Sequence, residues 1–110
     1  MNFRELFSFT RSEVDDAFSK ASPLKRGRGL TLLSAKVDEK EPFEHGRLLI
    51  IISRKVGKAN KRNLLRRRIK AIYYENRLYK NPQTLILITY KPAIDLTFDQ
   101  LKDFFISALG

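Results

Sequence analysis

The chain has 110 residues, 43% of them hydrophobic, which suits one domain with a modest core. Its formal net charge of +10 is unusual for a globular domain and indicates a polyanionic partner. The absence of cysteine excludes disulfides and thiolate metal sites, and no signal-peptide pattern or membrane-length apolar run is present, so we expect one cytoplasmic domain spanning residues 1–110 with no membrane contact.

A short helix is predicted near the amino end. Thr10 stands three residues before Glu13, which is the spacing of a capping box. The apolar residues that follow at helical intervals are Val14, Ala17, Phe18 and Ala21. The dipeptide Ser22-Pro23 is expected to end the helix.

Two strands are predicted next. Residues 29–37 (GLTLLSAKV) are β-prone, with Leu30 and Leu32 turned inward and Leu33 as a further candidate. A polar connection follows, and residues 47–53 (RLLIIIS) are then apolar almost throughout. This continuous run is typical of a central strand that is covered on both faces.

A long helix is predicted from about Ala59 to Tyr79, stopped by Asn81-Pro82. Its apolar face carries Leu65, Ile69 and Ile72, with Tyr73 and Asn76 as further members. The neighbouring face carries Arg62, Arg66, Lys70 and Arg77.

The last two elements are a strand over residues 84–90 and a helix opened by Thr97 and Gln100, which resemble a second capping box. The apolar stripe of this helix is Leu101, Phe104, Phe105, Ala108 and Leu109. The predicted order is α-β-β-α-β-α. We therefore expect an α+β fold, a small sheet with helices packed on it, in which the basic helix crosses between two strands.

The excess positive charge is concentrated in residues 54–70, which hold nine basic side chains and no acidic one. Outside this segment 13 basic residues face all 12 acidic ones. General solubility would spread the charge, whereas a local patch can neutralise several phosphates and release their counterions. The patch is therefore the best functional signal in the sequence.

On the basic helix, residues four apart share a face, so Arg62, Arg66 and Lys70 form one row of donors and Asn63, Arg67 and Lys70 an adjoining one. Guanidinium groups suit phosphates, and an asparagine can bond ribose or a base edge, which favours nucleic acid. A solvated face is the simpler alternative. A membrane or calmodulin-type role is disfavoured because the apolar face is needed for the sheet.

The segment SRKVGKANKRNLLRRRIKAIYYE, residues 53–75, resembles the signature of the bacterial ribonuclease P protein subunit. The matching residues are Ser53, Arg54, Lys55, Gly57, Ala59, Arg62, Asn63, Arg66, Arg67 and Lys70. Downstream, YKPAIDLTFDQLKDFF resembles the Lys-Pro-Ala segment that leads into the last helix of that family. The resemblance covers nearly the whole chain and is strongest over residues 47–105.

The resemblance implies a compact two-layer sandwich with a left-handed βαβ crossover, similar to a domain of a small-subunit ribosomal protein. It also implies that a separate RNA subunit catalyses removal of the 5′ leader of precursor tRNA, with Mg²⁺ for that reaction. This chain would then supply no catalytic residue and bind no cofactor of its own. The implied RNA-subunit-binding residues are Arg54, Lys55, Lys58, Lys61, Arg62, Asn63, Arg66, Arg67 and Lys70.

The resemblance further implies that the leader binds in a cleft between the first helix and the sheet, on aromatic side chains that stack with bases. Phe18 matches one such position, although an aromatic on an amphipathic helix is often only a core residue. Val14 and Leu33 stand where the family commonly has aromatic residues, and Arg68 stands at a position that is often apolar. Leader affinity or preference is therefore expected to differ from the usual pattern.

Three rival functions fit the sequence less well. A protein nuclease needs convergent acids or metal ligands, but the lone His45 and the pairs Asp15-Asp16, Asp38-Glu39 and Asp95/Asp99 show no such arrangement in the sequence. A DNA-binding module is disfavoured because no helix-turn-helix or zinc spacing is present. The closest rival is another binder of structured RNA, such as a ribosome-associated protein, with no role in tRNA processing.

Overall fold

The structure is a computed structural model that describes residues 3–35 and 45–109. Its main elements in chain order are α1 (Arg11–Lys20), β1 (Ala21–Gly27), β2 (Leu30–Ala35), β3 (Arg47–Ile52), α2 (Ala59–Glu75), β4 (Thr84–Thr89) and α3 (Phe98–Leu109). Short 3₁₀ helices lie at Phe3–Leu6, Arg54–Val56, Leu78–Lys80 and Lys91–Asp95. The predicted α+β class, a small sheet with helices packed on it, is confirmed.

The four strands form one sheet in the order β1-β2-β4-β3. β1 and β2 are an antiparallel hairpin, β2 and β4 are antiparallel, and β3 and β4 run parallel. Because α2 joins the two parallel strands, it is the predicted crossover helix. The sandwich therefore places the basic helix on one face of the sheet.

The sequence prediction missed β1. It treated Ser22-Pro23 only as the end of the first helix, whereas the backbone passes directly from Lys20 into a strand at Ala21. The pairing with β2 is interrupted between Pro23 and Lys25. Most β1 side chains are exposed, so the strand lacks the alternating apolar pattern from which strands are predicted. Proline is tolerated there because β1 lies at an edge.

The position predicted for the apolar strand was wrong. β3 lies at an edge of the sheet, and the strands enclosed between two neighbours are β2 and β4. Leu85, Ile86 and Leu87 in the middle of β4 are at most 1% exposed, whereas most β3 residues remain partly exposed. An apolar run therefore indicated two covered faces but not the order of the strands.

Two apolar clusters occupy the two faces of the sheet. The larger one joins Leu30 and Leu32 to the buried faces of α2 and α3. The smaller one joins Leu33 to Ala17 of α1, together with Ala35 and Ile86. Leu33 therefore points away from Leu30 and Leu32, as strand alternation requires, and α1 lies on the face of the sheet opposite to α2.

Both capping boxes are confirmed. The backbone N–H of Glu13 donates to the Thr10 hydroxyl and the Thr10 N–H to the Glu13 carboxylate, and Thr97 and Gln100 repeat this exchange at α3. The predicted end of α2 was too late, because the helix stops at Glu75 and Arg77 adopts a left-handed conformation with φ of 53°. Arg77 therefore does not extend the basic row of α2.

Residues 36 and 37 of the first predicted strand (29–37), and Asp38-Glu39 in the polar connection, lie outside the described residues. Within the described ranges, no helix is long and apolar enough to cross a bilayer.

Candidate nucleic-acid interface

α2 divides its side chains between the core and the surface. Leu65, Ile69, Ile72 and Tyr73 are at most 4% exposed and pack in the larger cluster, as predicted from their spacing. The flank next to this face carries the half-buried cations Arg62, Arg66 and Lys70, and the outward face carries the exposed Asn63 and Arg67. The structure thus brings both predicted donor rows to one surface of the helix.

Three of these side chains are held in place by contacts within the chain. The Arg66 guanidinium donates to the Asn63 side-chain oxygen at 3.3 Å, and the Lys70 ammonium lies 5.4 Å from the centre of the Phe7 ring. The Nε of Arg62 is buried and finds no hydrogen-bond acceptor among the described residues. Because a buried unsatisfied donor is costly, a change of the Arg62 side chain that brings this N–H to a bound anion would be favourable.

The remaining predicted cations precede the helix. Arg54 and Lys55 lie on the 3₁₀ helix before α2, Lys58 is its N-cap residue, and all three are exposed. Gly57 allows the segment before α2 to pack closely against Ile94, since a Cβ at this position would come within 2.2 Å of the Ile94 side chain. The first turn of α2 contains no acidic residue, so its free N–H groups and these cations present one positive end.

The cations of residues 54–70 have no acidic partner in the described structure. The ion pairs found there join Lys20 to Asp16 and Arg47 to Glu13, both on the α1 side of the sheet. Nine basic side chains are therefore gathered on and before one helix without internal neutralisation. Such a surface is suited to a polyanion that spans several phosphates.

The three predicted leader-binding residues lie on or beside α1. Leu33 packs in the smaller cluster, and Val14 is half-buried. Phe18 is 41% exposed and belongs to neither cluster. The core interpretation of Phe18 is therefore not supported, and its ring is available on the α1 side of the molecule.

Arg47 is a structural residue near this side that sequence reasoning missed. Its guanidinium donates to the Glu13 carboxylate and to the Ser8 carbonyl oxygen, and it lies 4.0 Å from the centre of the Phe9 ring. The hydrogen bond from Arg47, followed by that from the Thr10 backbone, lowers the pKa of Glu13. Arg47 thereby ties α1 to β3. The available signal was a single cation opening an otherwise apolar strand.

The residues considered for a nuclease site do not converge in the described structure. His45 is half-buried, with Nδ1 3.1 Å from the Gly46 carbonyl oxygen, and Asp16 pairs with Lys20 at 3.2 Å. Among the described residues there is no group of three or more histidine, cysteine, aspartate or glutamate side chains that could hold a metal ion.

Comparison with known sequences links the chain to one family. A family model described as Ribonuclease P matches residues 7–110. The chain is 32% identical to the ribonuclease P protein component of Onion yellows phytoplasma (strain OY-M) in an alignment over 109 residues that covers 96% of this chain and 77% of that protein. It is 44% identical over 55 residues to the ribonuclease P protein component of Phytoplasma australiense, covering 49% and 48% of the two chains.

Solved structures show the same architecture. The RNase P protein of Staphylococcus aureus superposes with a TM-score of 0.79 at 21% identity, covering 94% of this chain and 92% of that one. The RNase P protein of Thermotoga maritima superposes with a TM-score of 0.77 at 21% identity and 94% coverage of both chains. At these identities the likeness concerns the fold.

Proposed function

Because the chain belongs to the ribonuclease P protein family, we propose that it binds the catalytic RNA of ribonuclease P through α2 and the 5′ leader of precursor tRNA through the α1 side of the sheet. In this role it assists an endoribonuclease whose chemistry resides in the RNA subunit. The residues proposed to contact that RNA are Arg54, Lys55, Lys58, Lys61, Arg62, Asn63, Arg66, Arg67 and Lys70.

The observation that carries the proposal is the unneutralised positive surface of α2. Its cations have no acidic partner in the described structure, and the buried Nε of Arg62 has no acceptor there. A solvated face would leave like charges repelling one another at i, i+4 spacing, whereas RNA phosphates would remove that repulsion and release counterions. Arginine also matches phosphate oxygens with two parallel N–H groups.

The leader is proposed to contact Phe18, Val14 and Leu33. An exposed aromatic ring binds single-stranded RNA by stacking, which is tolerant of sequence because every base has a flat face. Val14 and Leu33 offer only apolar contact. We therefore expect Phe18 to contribute most of the stacking in the part of the leader site that the structure describes.

The two proposed surfaces lie on opposite sides of the sheet, since α1 packs on one face and α2 on the other. The protein can therefore contact the catalytic RNA and the precursor's leader at the same time. It would raise the affinity of the complex for leader-bearing substrate while Mg²⁺ acts with the RNA. No side chain of this chain is proposed to transfer a proton or hold a metal ion.

The alternative is a structured-RNA binder without a role in tRNA processing, which the same basic helix would serve. The exposed Phe18 beside an apolar sheet face favours the leader-binding proposal, because a pure RNA-backbone binder has no need for it.

The test is the cleavage rate of a precursor tRNA by a bacterial ribonuclease P RNA at low Mg²⁺ and near-physiological salt, with and without the protein. Affinities for precursor and for leaderless tRNA are measured in the same complex. A protein-dependent rate together with a leader-dependent affinity is expected. Tight RNA binding without either effect would support the alternative, and absence of RNA binding would overturn the role of α2.

A further inference from the structure

A small recess lies on the flank of α2 away from the Arg62, Arg66 and Lys70 row. Its volume is about 120 Å³, and its lining residues are Lys61, Leu64, Leu65, Arg68, Ile94 and Leu96. Ile94 and Leu96 come from the chain segment between β4 and α3 and pack against the larger cluster. The recess therefore has an apolar floor fixed by two separate parts of the chain.

The rim of the recess is charged with one sign only. Lys61 and Arg68 are seven residues apart, which places them about 10 Å apart along the helix axis. No acidic residue lines the recess, and neither side chain has an ion-pair partner in the described part of the chain. An apolar floor between two cations is complementary to a flat ring that carries a phosphate.

We infer that this recess binds one unpaired nucleotide of the RNA held by α2, with the base against Leu64 and Ile94 and its phosphate at Lys61 and Arg68. The choice of occupant rests on the proposed RNA-binding role of α2. The recess is smaller than the roughly 300 to 1,000 Å³ of sites for drug-sized ligands, which suits a single base at its mouth rather than a larger molecule.

Two features distinguish this recess from a solvated flank. Leu64 is 37% exposed and lies on the same helix face as Lys61, three residues before it, and Arg68, four residues after it, so an apolar surface remains open beside the cations. Arg68 is half-buried and lines the recess, as suits a long side chain that covers apolar surface with its stem and keeps its charged end in water. Stacking on an apolar or aromatic surface with a cation nearby is a common way to hold an unstacked base.

The test is a methyl NMR titration of the isotope-labelled full chain with adenosine 5′-monophosphate and, separately, ribose 5-phosphate. We expect saturable shifts at the Leu64 and Ile94 methyl groups with the nucleotide and weaker, unsaturated shifts with ribose 5-phosphate. Lys61→Gln and Arg68→Gln should each weaken nucleotide affinity about two- to fivefold. Leu64→Trp, which fills the mouth from an exposed position, should abolish the methyl shifts at Ile94.

The matched control is Lys80→Gln, which removes an exposed cation beyond the end of α2 and should leave the affinity unchanged. Equal shifts with the nucleotide and with ribose 5-phosphate, or an unaffected titration in Leu64→Trp, would overturn the inference and leave only general phosphate attraction. Because these ligands report on the recess alone, failure here is separate from failure of α2 to bind the catalytic RNA.

Discussion

Tyr73 shows how completely α2 is fixed on the sheet. Its ring packs edge-on against those of Phe7 and Tyr79, with centroids 5.6 and 6.5 Å away. The hydroxyl is buried and has no hydrogen-bond partner among the described residues. A Cβ at Gly46 would come within 2.2 Å of the Asn81 carbonyl oxygen, and 3.1 Å from this hydroxyl, so glycine is required beside Tyr73. Burial raises the pKa of Tyr73 above its usual 10.0. The neutral phenol is therefore the form that the fold requires.

We predict that Tyr73→Phe protects the protein at alkaline pH. A raised pKa in the folded state leaves stability unaffected below about pH 10 and lowers it above, because only the unfolded chain can then ionise freely. At pH 7 the variant should lie within about 1 kcal/mol of the parent, since the lost hydroxyl had no partner. Urea unfolding at pH 7 and pH 10.5 measures both effects.

Tyr74→Phe is the control, because Tyr74 is the next residue on α2 and is 43% exposed. It should keep the alkaline loss of stability shown by the parent. A Tyr73→Phe protein that loses stability as steeply as the parent would contradict the prediction.

Phe18 is the residue on which the leader proposal depends most. We predict that Phe18→Ala weakens binding of precursor tRNA by about 1 to 3 kcal/mol, the usual value of one base stacked on an aromatic ring, and leaves leaderless tRNA unaffected. The measurement is the affinity of each tRNA for the complex with the RNA subunit.

Ile106→Ala provides a matched control, because Ile106 is also 41% exposed but lies on α3. It should change neither affinity. Equal losses for precursor and leaderless tRNA in Phe18→Ala would mean that the ring acts in folding or assembly instead.

At the scale of elements, α2 combines a buried face with arginines that differ in their exposure. Arg67 is exposed, whereas Arg62 is half-buried with an unpartnered Nε. Arg67→Ala should therefore lower the slope of log affinity against log salt by about one unit, with little effect on folding. Arg62→Lys should keep the slope but weaken binding, because lysine keeps the charge and loses the planar fork.

These slopes are measured by titrating the RNA subunit with each variant between low and physiological salt. Lys80→Ala, which removes an exposed cation outside α2, should retain the parental slope. If both the Arg62 and the Arg67 variant kept the parental slope and affinity, α2 would not be part of the RNA interface.

The helices were predictable because their signals are local. Both capping boxes and the apolar stripes of α2 and α3 can be read within one or two turns. β1 could not be predicted, because its stability comes from pairing with β2 rather than from its own pattern, and Pro23 argued against a strand. The edge position of β3 depends on strand order, which no periodicity encodes.

Some features of the candidate site could also be predicted from the sequence, and others could not. The charge of residues 54–70 was visible in the sequence, and so was the spacing that places Arg62, Arg66 and Lys70 in one row. The sequence did not reveal the unpartnered Nε of Arg62 or the contact of Arg47 with Glu13, since both depend on packing between distant segments. The recess beside Arg68 was also hidden, because its floor comes from the segment after β4.

At the scale of the whole molecule, the two proposed RNA surfaces are separated by a single sheet. The two apolar clusters share the strand β4. Its Ile86 belongs to the smaller cluster, and its Leu85 and Leu87 belong to the larger cluster. Substitutions in β4 are therefore expected to disturb both surfaces together, whereas those at Phe18 and Arg67 act on one surface each.

The edge position of β3 has a consequence for handling the protein. The other edge strand, β1, carries Pro23, Lys25 and Arg26, which discourage pairing with another chain, whereas β3 continues after Arg47 as an unbroken run of leucine and isoleucine. The 3₁₀ helix Phe3–Leu6 contacts β3, and its Leu6 is completely buried in the larger cluster.

We predict that a shortened chain beginning at Thr10 self-associates through the uncovered β3 edge, as light scattering would detect, while the full chain at equal concentration does not. Equal scattering from the shortened and the full chain would contradict the prediction. Self-association of such a fragment would make its apparent RNA affinity depend on protein concentration, so shortened forms are poorly suited to affinity measurements.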